Sequence, residues 1–228
     1  MLVKNWMSTP AITIDAHSSL QDAMDLLKAK KISMLPVVDG NRLVGVVADS
    51  DIKKASPSAA TSLEIHEMLY LLATVEVKDI MSRNPITVPT DFTIEETAEV
   101  LMSNNISGVP VMNPDGSIAG VISHTDLFKV IISLTGVKKK GVQFAFRSRD
   151  CEGSILEIAH VIRECGGHIV SILTSYENVP EGYRNIYIRV TDTNPAQLEA
   201  LTAELEKRFT LLYIVEKTDK GRKISILS

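Results

Sequence analysis

The sequence predicts a mixed α+β chain, with α/β character in its first part: two tandem copies of one unit, then a separate βαββαβ domain. Three observations predict it. Gly120-Val-Ile-Ser-His-Thr-Asp126, where an apolar strand ends in hydroxyls and opens a helix, recurs as Gly45-Val-Val-Ala-Asp-Ser-Asp51. The segments around both motifs repeat as well. After Gly141 the pattern changes to strands and helices without such a motif.

The repeat extends over the whole first part. Val3-Lys-Asn-Trp-Met-Ser8 matches Val77-Lys-Asp-Ile-Met-Ser82, and Ala11-Ile-Thr13 matches Pro85-Ile-Thr87. Lys31-Ile-Ser-Met-Leu-Pro-Val-Val38 matches Asn105-Ile-Ser-Gly-Val-Pro-Val-Met112. The offset is 74 residues until the turn Asn113-Pro-Asp-Gly116, where the second copy gains one. An internal repeat of this kind means stacked or paired units.

Taken in order, Ala11 to Ile14 reads as a short strand. Ser18 or Ser19 caps a helix to about Lys30, whose apolar positions Leu20, Ala23, Met24, Leu26 and Leu27 recur at helical spacing. Met34 to Val38 and Leu43 to Val47 are strands about the turn Asp39-Gly-Asn41, and Asp51 opens the next helix. Met24 and Met34 read as core. Ser56-Pro-Ser58 breaks that helix. Leu63, Ile65, Met68, Leu69, Tyr70 and Leu72 give a linker helix over 61–76 a wide apolar face. His66 within it has no second ligand at metal spacing, so no metal site is expected. The second copy follows the same order: a strand ending at Thr87-Val88, a helix from Ile94 to Ser103, strands Val109–Met112 and Ile118–Ile122, and a helix from Asp126 to about Thr135. Lys138-Lys-Lys-Gly141 reads as a solvated linker.

Val142 to Phe146 then alternates as a strand, and Asp150-Cys-Glu-Gly153 turns into a helix ending at Gly166-Gly167. Ile169 to Leu173 and Asn185 to Val190 are strands, Asn194-Pro195 starts a helix through Leu198, Leu201 and Leu205, and Leu211 to Val215 closes the domain. Helices should cover one face of an antiparallel sheet. The expected boundaries are 1–60, 61–76, 77–136, 137–141 and 142–217, with a tail over 218–228.

Composition bounds the function. The chain has 228 residues, 45% hydrophobic and 23% charged, with net charge −4, which is ordinary for a globular protein and offers no basic field for nucleic acid. No run reaches the roughly 18 apolar residues of a membrane span. No signal peptide is read at the N-terminus. Cys151 and Cys165 are the only cysteines, which fits a reducing cytoplasm better than a disulfide framework.

The repeated motif carries the chemistry. A helix N-terminus offers unpaired N–H groups and a positive dipole end, and hydroxyls there add donors, so it suits a phosphate. A carboxylate at the same place repels phosphate but accepts from the paired hydroxyls of a ribose. Ser123, Thr125 and Asp126 together point to a nucleoside phosphate. The alternative is that Asp126 or Thr125 only caps the helix.

On these segments, residues 1–135 resemble a tandem pair of CBS domains. The resemblance implies a pseudo-two-fold module with two clefts for adenine nucleotides, AMP-like here. Asp51 and Asp126 would hold ribose hydroxyls, and Ser50, Ser123 and Thr125 phosphate or ribose. Ser33 and Ser107 would face the phosphate region. Ile12 and Ile86, beside Pro36 and Pro110, would hold adenine. Because Ala48 stands where Ser123 stands and Asp49 adds a negative charge, the cleft with Asp126 should be the tighter. The last domain resembles an ACT domain, a ferredoxin-like ligand-sensing module, on Asp150-x-x-Gly153, Ile155-Leu-x-Ile-Ala159 and Gly167-His-Ile-Val-Ser171. It implies a candidate ligand site at Asp150, Gly153, His168 and Ile169. Two CBS copies followed by such a domain, with Asp51-Ile-Lys-Lys-Ala-Ser-Pro-Ser58 between the copies, are similar to the AcuB-like family associated with acetoin utilisation.

The implied protein is a cytoplasmic, non-catalytic sensor needing no cofactor. It would form a homodimer and act on a further protein, without binding nucleic acid or membrane. The other readings are a structural dimerisation module with vestigial clefts, or a binder of S-adenosylmethionine or NAD. An enzyme lacks support: there is no P-loop lysine, metal cluster or nucleophile paired with a base. Cys151 reads as a turn cysteine.

Overall fold

The computed structural model describes residues 1–55, 72–139, 141–218 and 221–227. The linker helix expected over 61–76 lies outside the described residues up to 71, as do Ser56-Pro-Ser58 and His66; residues 72–74 are helical. The chain falls into two compact units, Met1–Phe128 and Lys129–Ser228.

In the first unit, β1 (Ile14–Asp15), α1 (Leu20–Lys30), β2 (Met34–Asp39), β3 (Arg42–Ala48) and α2 (Asp49–Ala55) form the first copy. After the helical turn α3 (Val77–Ile80) and β4 (Ser82–Arg83), the second copy has β5 (Val88–Pro89), α4 (Ile94–Ser103), β6 (Gly108–Met112), β7 (Ile118–Ser123) and α5 (His124–Leu134), whose residues from Lys129 on fall in the second unit. β1 lies parallel to β2, and β5 to β6, while each hairpin is antiparallel. The strand expected over 11–14 is shorter and later, beginning at Ile14.

Both α1 and α4 begin with a full capping box. Ser19 pairs with Asp22, and Thr93 with Glu96, 74 residues on. Each box satisfies N–H groups that a helix start leaves without partners. The first core gathers Ile14, Leu20, Ala23, Leu27, Leu35, Val37, Val47 and Ile52. Met34 is buried and Met24 packs against this core.

The copies exchange their lead-in segments. β4, from the second copy, pairs with β3 of the first: Gly45 lies opposite Arg83 and Val46 opposite Ser82. Reciprocally, Ser8 pairs with Val121 of β7. Val77 N–H donates to Ser18 O at 2.9 Å, and Val3 N–H to Phe92 O at 2.8 Å. Val77 is part of the first copy's core. The repeat unit in sequence is therefore not the packing unit in space.

The second unit contains β8 (Gly141–Arg149), α6 (Ser154–Glu164), β9 (His168–Ser175), β10 (Tyr183–Thr191), α7 (Pro195–Arg208), β11 (Thr210–Thr218) and β12 (Gly221–Ile226). Its antiparallel sheet has the order β12-β11-β8-β10-β9. The βαββαβ reading holds, with an addition: residues expected to be a tail form a fifth strand on β11, and Leu211 to Val215 does not close the domain. Phe144, Phe146, Ile158, Ile162, Ile186, Ile188, Leu201 and Leu205 fill the core under α6 and α7. These helices cover one sheet face, because the core residues of each strand alternate.

Candidate functional site

The candidate nucleotide sites form where β3 meets α2 and where β7 meets α5. In the second copy, Asp126 is 5% exposed. Its Oδ2 accepts from the Ser123 N–H at 3.0 Å and from the Ser123 hydroxyl at 2.7 Å. In the first copy, Asp51 Oδ2 accepts from the Ala48 N–H at 2.9 Å. Each carboxylate thus sits at the third helical position and ties back to the residue before the helix. The capping alternative and the ligand reading share one geometry: the cap fixes the carboxylate at the helix start, where backbone N–H groups also converge.

Ser33 and Ser107 are brought to the same places. Ser33 O accepts from Asp49 N–H at 3.1 Å, and Ser107 O from His124 N–H at 3.0 Å. The side chains of Ser33, Ser50, Ser107 and Thr125 are exposed and make no hydrogen bond among the described residues. Ser123 differs, since its hydroxyl is already donated to Asp126. Asp49 was expected to weigh against a phosphate. It forms an ion pair with Lys53, one helical turn on, and both are exposed. That pairing offsets part of its charge.

The apolar candidates divide. Pro36 and Pro110 are buried within β2 and β6, opposite Val46 and Val121. Ile86 is 40% exposed, and Ile12 is half-buried against the first core. With Ile14 opposite Val37, the parallel register places Ile12 toward the end of β2 where Ala48 and α2 also lie. The structure thus supplies apolar surface at Ile12 and Ile86, with the prolines as strand interior.

Sequence reasoning recognised Gly45 and Gly120 as motif letters but missed their role. A Cβ on Gly120 would lie 2.6 Å from Ser8 O and 2.8 Å from Met7 Sδ. One on Gly45 would lie 2.5 Å from Met81 Sδ and 2.9 Å from Ser82 O. Each glycine admits the lead-in segment of the other copy. The only signal was the co-occurrence of Met-Ser and Gly-x-x in both copies.

In the second unit, the four residues expected to form a ligand site do not come together. Asp150 and Gly153 stand between β8 and α6, beside Tyr183, which pairs with Arg149. His168 and Ile169 begin β9 at the other end, where Ile169 pairs with Val190 and Val190 with Val142. Ile169 is thus level with Val142, which precedes Asp150 along the strand by roughly 26 Å at about 3.3 Å per residue. Asp150 accepts from Tyr176 Oη at 3.5 Å and pairs with Arg184 at 3.3 Å. Arg184 also donates to Ser154 Oγ at 2.8 Å. His168 and Ile169 line a separate groove of about 300 Å³ with His160 and Arg163. Cys151 is exposed and Cys165 half-buried, both free. No group of three or more potential metal ligands occurs among the described residues. No described helix is long and apolar enough to cross a membrane.

Comparison with known proteins matches the first part of the chain. The CBS domain family model matches residues 3–58 and 77–133. A CBS domain-containing protein of Dictyostelium discoideum is 31% identical over 135 residues, covering 59% of this chain and 93% of its own. Among solved structures, the CBS-pair protein CBSX2 of Arabidopsis thaliana is 26% identical with a TM-score of 0.50, covering 60% of this chain and 96% of its own. CBSX2 has also been crystallised with AMP (26% identity, TM-score 0.48, covering 60% of this chain and 98% of its own). A Vibrio cholerae protein assigned to acetoin utilization (AcuB) is 24% identical with a TM-score of 0.50, covering 60% of this chain and 95% of its own; it shares the fold. With the exchanged lead-in segments and the paired strand-to-helix motifs already in place, the family model and the Dictyostelium relative mean that the chain belongs to the CBS-domain family.

Proposed function

We propose that the protein is a non-catalytic sensor that binds an adenine nucleotide of the AMP type at its two strand-to-helix motifs. The observation that carries this reading is the pair of aspartates locked at the starts of α2 and α5, each beside exposed hydroxyls that the fold does not use. A fixed carboxylate suits ribose hydroxyls, and the neighbouring N–H groups and hydroxyls suit a phosphate. Uncharged Ser33 and Ser107 stand beside the two helix starts, which favours a monophosphate over a triphosphate.

The site at Asp126 is the tighter of the two. Its carboxylate is held by two hydrogen bonds against one for Asp51, so less ordering is left for binding to supply. The second unit, read as an ACT-like domain, carries the response, and the protein works as an intracellular homodimer acting on a further protein. The order of two CBS copies and then a βαββαβ domain is what supports an AcuB-like role in acetoin or related carbon metabolism. Signalling requires only that the nucleotide bind two arrangements with different affinity.

Calorimetric titration of AMP into the wild type, Asp51→Ala and Asp126→Ala tests this. A hydrogen bond to a charged group contributes on the order of 1.5–3 kcal/mol, so Asp126→Ala should weaken the tighter site roughly tenfold or more. Ala48→Ser should tighten the other site. Absence of saturable AMP binding would sink the sensor reading; equal losses in the two aspartate variants would sink the inequality.

A further inference from the structure

On the sheet face of the second unit opposite α6 and α7, one row of residues crosses in register. Arg189 lies opposite Ser171 and Gln143, Gln143 opposite Val215, and Val215 opposite Ile224. Over this row lies a cavity of about 540 Å³, walled by Val137, Val215, Ile224 and Tyr213 and carrying Arg189, Gln143 and Arg222. Its size is within the range of small-molecule sites.

The charge in this cavity is unbalanced. Arg189 is only 6% exposed. Its Nε donates to the Thr135 carbonyl at 2.7 Å and its Nη2 to Gln143 Oε1 at 3.0 Å. Both acceptors are neutral, and Nη1 has no hydrogen-bond partner among the described residues. Burial pulls the guanidinium's pKa down, but an arginine stays protonated. Among the described residues the guanidinium has hydrogen bonds but no ion-pair partner, so its charge is left for a ligand to meet. Among the described residues no carboxylate lines the cavity, and a second arginine, the exposed Arg222, stands on its wall. Burial raises the Tyr213 phenol's pKa, which keeps its hydroxyl a donor.

We propose that this cavity binds a small organic carboxylate with an apolar body. The carboxylate would meet the Nη1 edge of Arg189 and the exposed guanidinium of Arg222, with the body against Val137, Val215 and Ile224. Arginine suits a carboxylate because its planar fork matches the two oxygens. Among the described residues the cavity is lined by no lysine and no helix N-terminus, which a free phosphate would favour. Because Thr135 closes α5 and is held by Arg189 and by Ser171 Oγ at 3.0 Å, an occupant here adjoins the segment that follows that helix.

The test is thermal melting and calorimetry of the full chain with isovalerate, phenylacetate, isovaleramide and inorganic phosphate. Saturable stabilisation is expected from the two carboxylates and none from the neutral amide. Arg222→Met, at an exposed position, should keep the fold and weaken carboxylate binding roughly tenfold. Arg189→Met should abolish binding, and where that variant fails to fold the Arg222→Met result decides. The proposal is overturned by no saturable carboxylate effect up to about 10 mM. It is equally overturned by an amide or phosphate effect as large as the carboxylate's, or by carboxylate binding unchanged in Arg222→Met.

Discussion

Single side chains set how firmly each helix start is held. Glu96 accepts from the Thr93 backbone N–H and interacts with its hydroxyl, which holds its pKa below the ordinary glutamate value of 4.5. Asp22 is held low by the Ser19 hydroxyl and then by the Ser19 N–H. A carboxyl whose folded pKa is depressed stabilises fully above its unfolded pKa, and that stabilisation is lost as pH falls through the folded value. The difference in melting temperature between the wild type and Glu96→Ala should therefore be full above about pH 4.5 and shrink at lower pH. A difference that stays constant down to about pH 3 would show that the charge contributes nothing. The residue scale is also where sequence reading went furthest. Asp51 and Asp126 are legible by type and spacing as helix-start carboxylates, because a helix start constrains both. The partner of the Ser123 hydroxyl was not legible, since a hydroxyl before a helix can serve the helix or a ligand equally well. Arg189 was passed over because an arginine in the alternation Ile186-Tyr-Ile-Arg-Val190 reads as a solvent-facing position, and only the fold shows it covered.

At the scale of elements, hairpins and capped helices were read to within a few residues, because turn residues and periodicity are local. The exchange of lead-in segments was not, since sequence repeats do not record which copy a segment packs on. Its energetic weight rests on two glycines. Gly120→Ala and Gly45→Ala each push a Cβ against a backbone carbonyl of the exchanged segment, which a rotamer change cannot relieve. Each should cost about 1–3 kcal/mol of stability, the usual cost of overpacking, read by urea denaturation. An unchanged midpoint in both variants would mean that the lead-in segments are loosely held. The failure of Asp150 and His168 to converge is also an element-scale matter: β8 runs out, α6 returns and β9 starts out again beside Val190, so residues flanking α6 lie toward opposite ends of the sheet.

At the scale of the molecule, the sequence repeat announced the first unit and the loss of that repeat announced the second. The final strand was missed because Gly221-Arg-Lys-Ile-Ser-Ile226 is half charged or polar and short. An edge strand reads this way, having one neighbour and much solvent. Ending the chain after Thr218 should lower the stability of the second unit, leave β11 as a bare edge and promote self-association, measured by urea denaturation and sedimentation velocity. It should also remove carboxylate binding, because Arg222 and Ile224 are lost from the cavity. Normal stability with a monodisperse profile would contradict this role for β12.

The exchanged lead-in segments bear on how such a chain could have arisen. A polypeptide carrying one copy alone would present a hairpin with an empty seat beside its glycine, and a loose segment shaped for that seat in another molecule. Two such polypeptides would complete each other by trading these segments, a swapped dimer held by mutual donation. The tandem chain has the geometry that joining such a dimer end to end would give. Joining the halves fixes their stoichiometry and allows the two seats to diverge, as Ala48 and Ser123 have done.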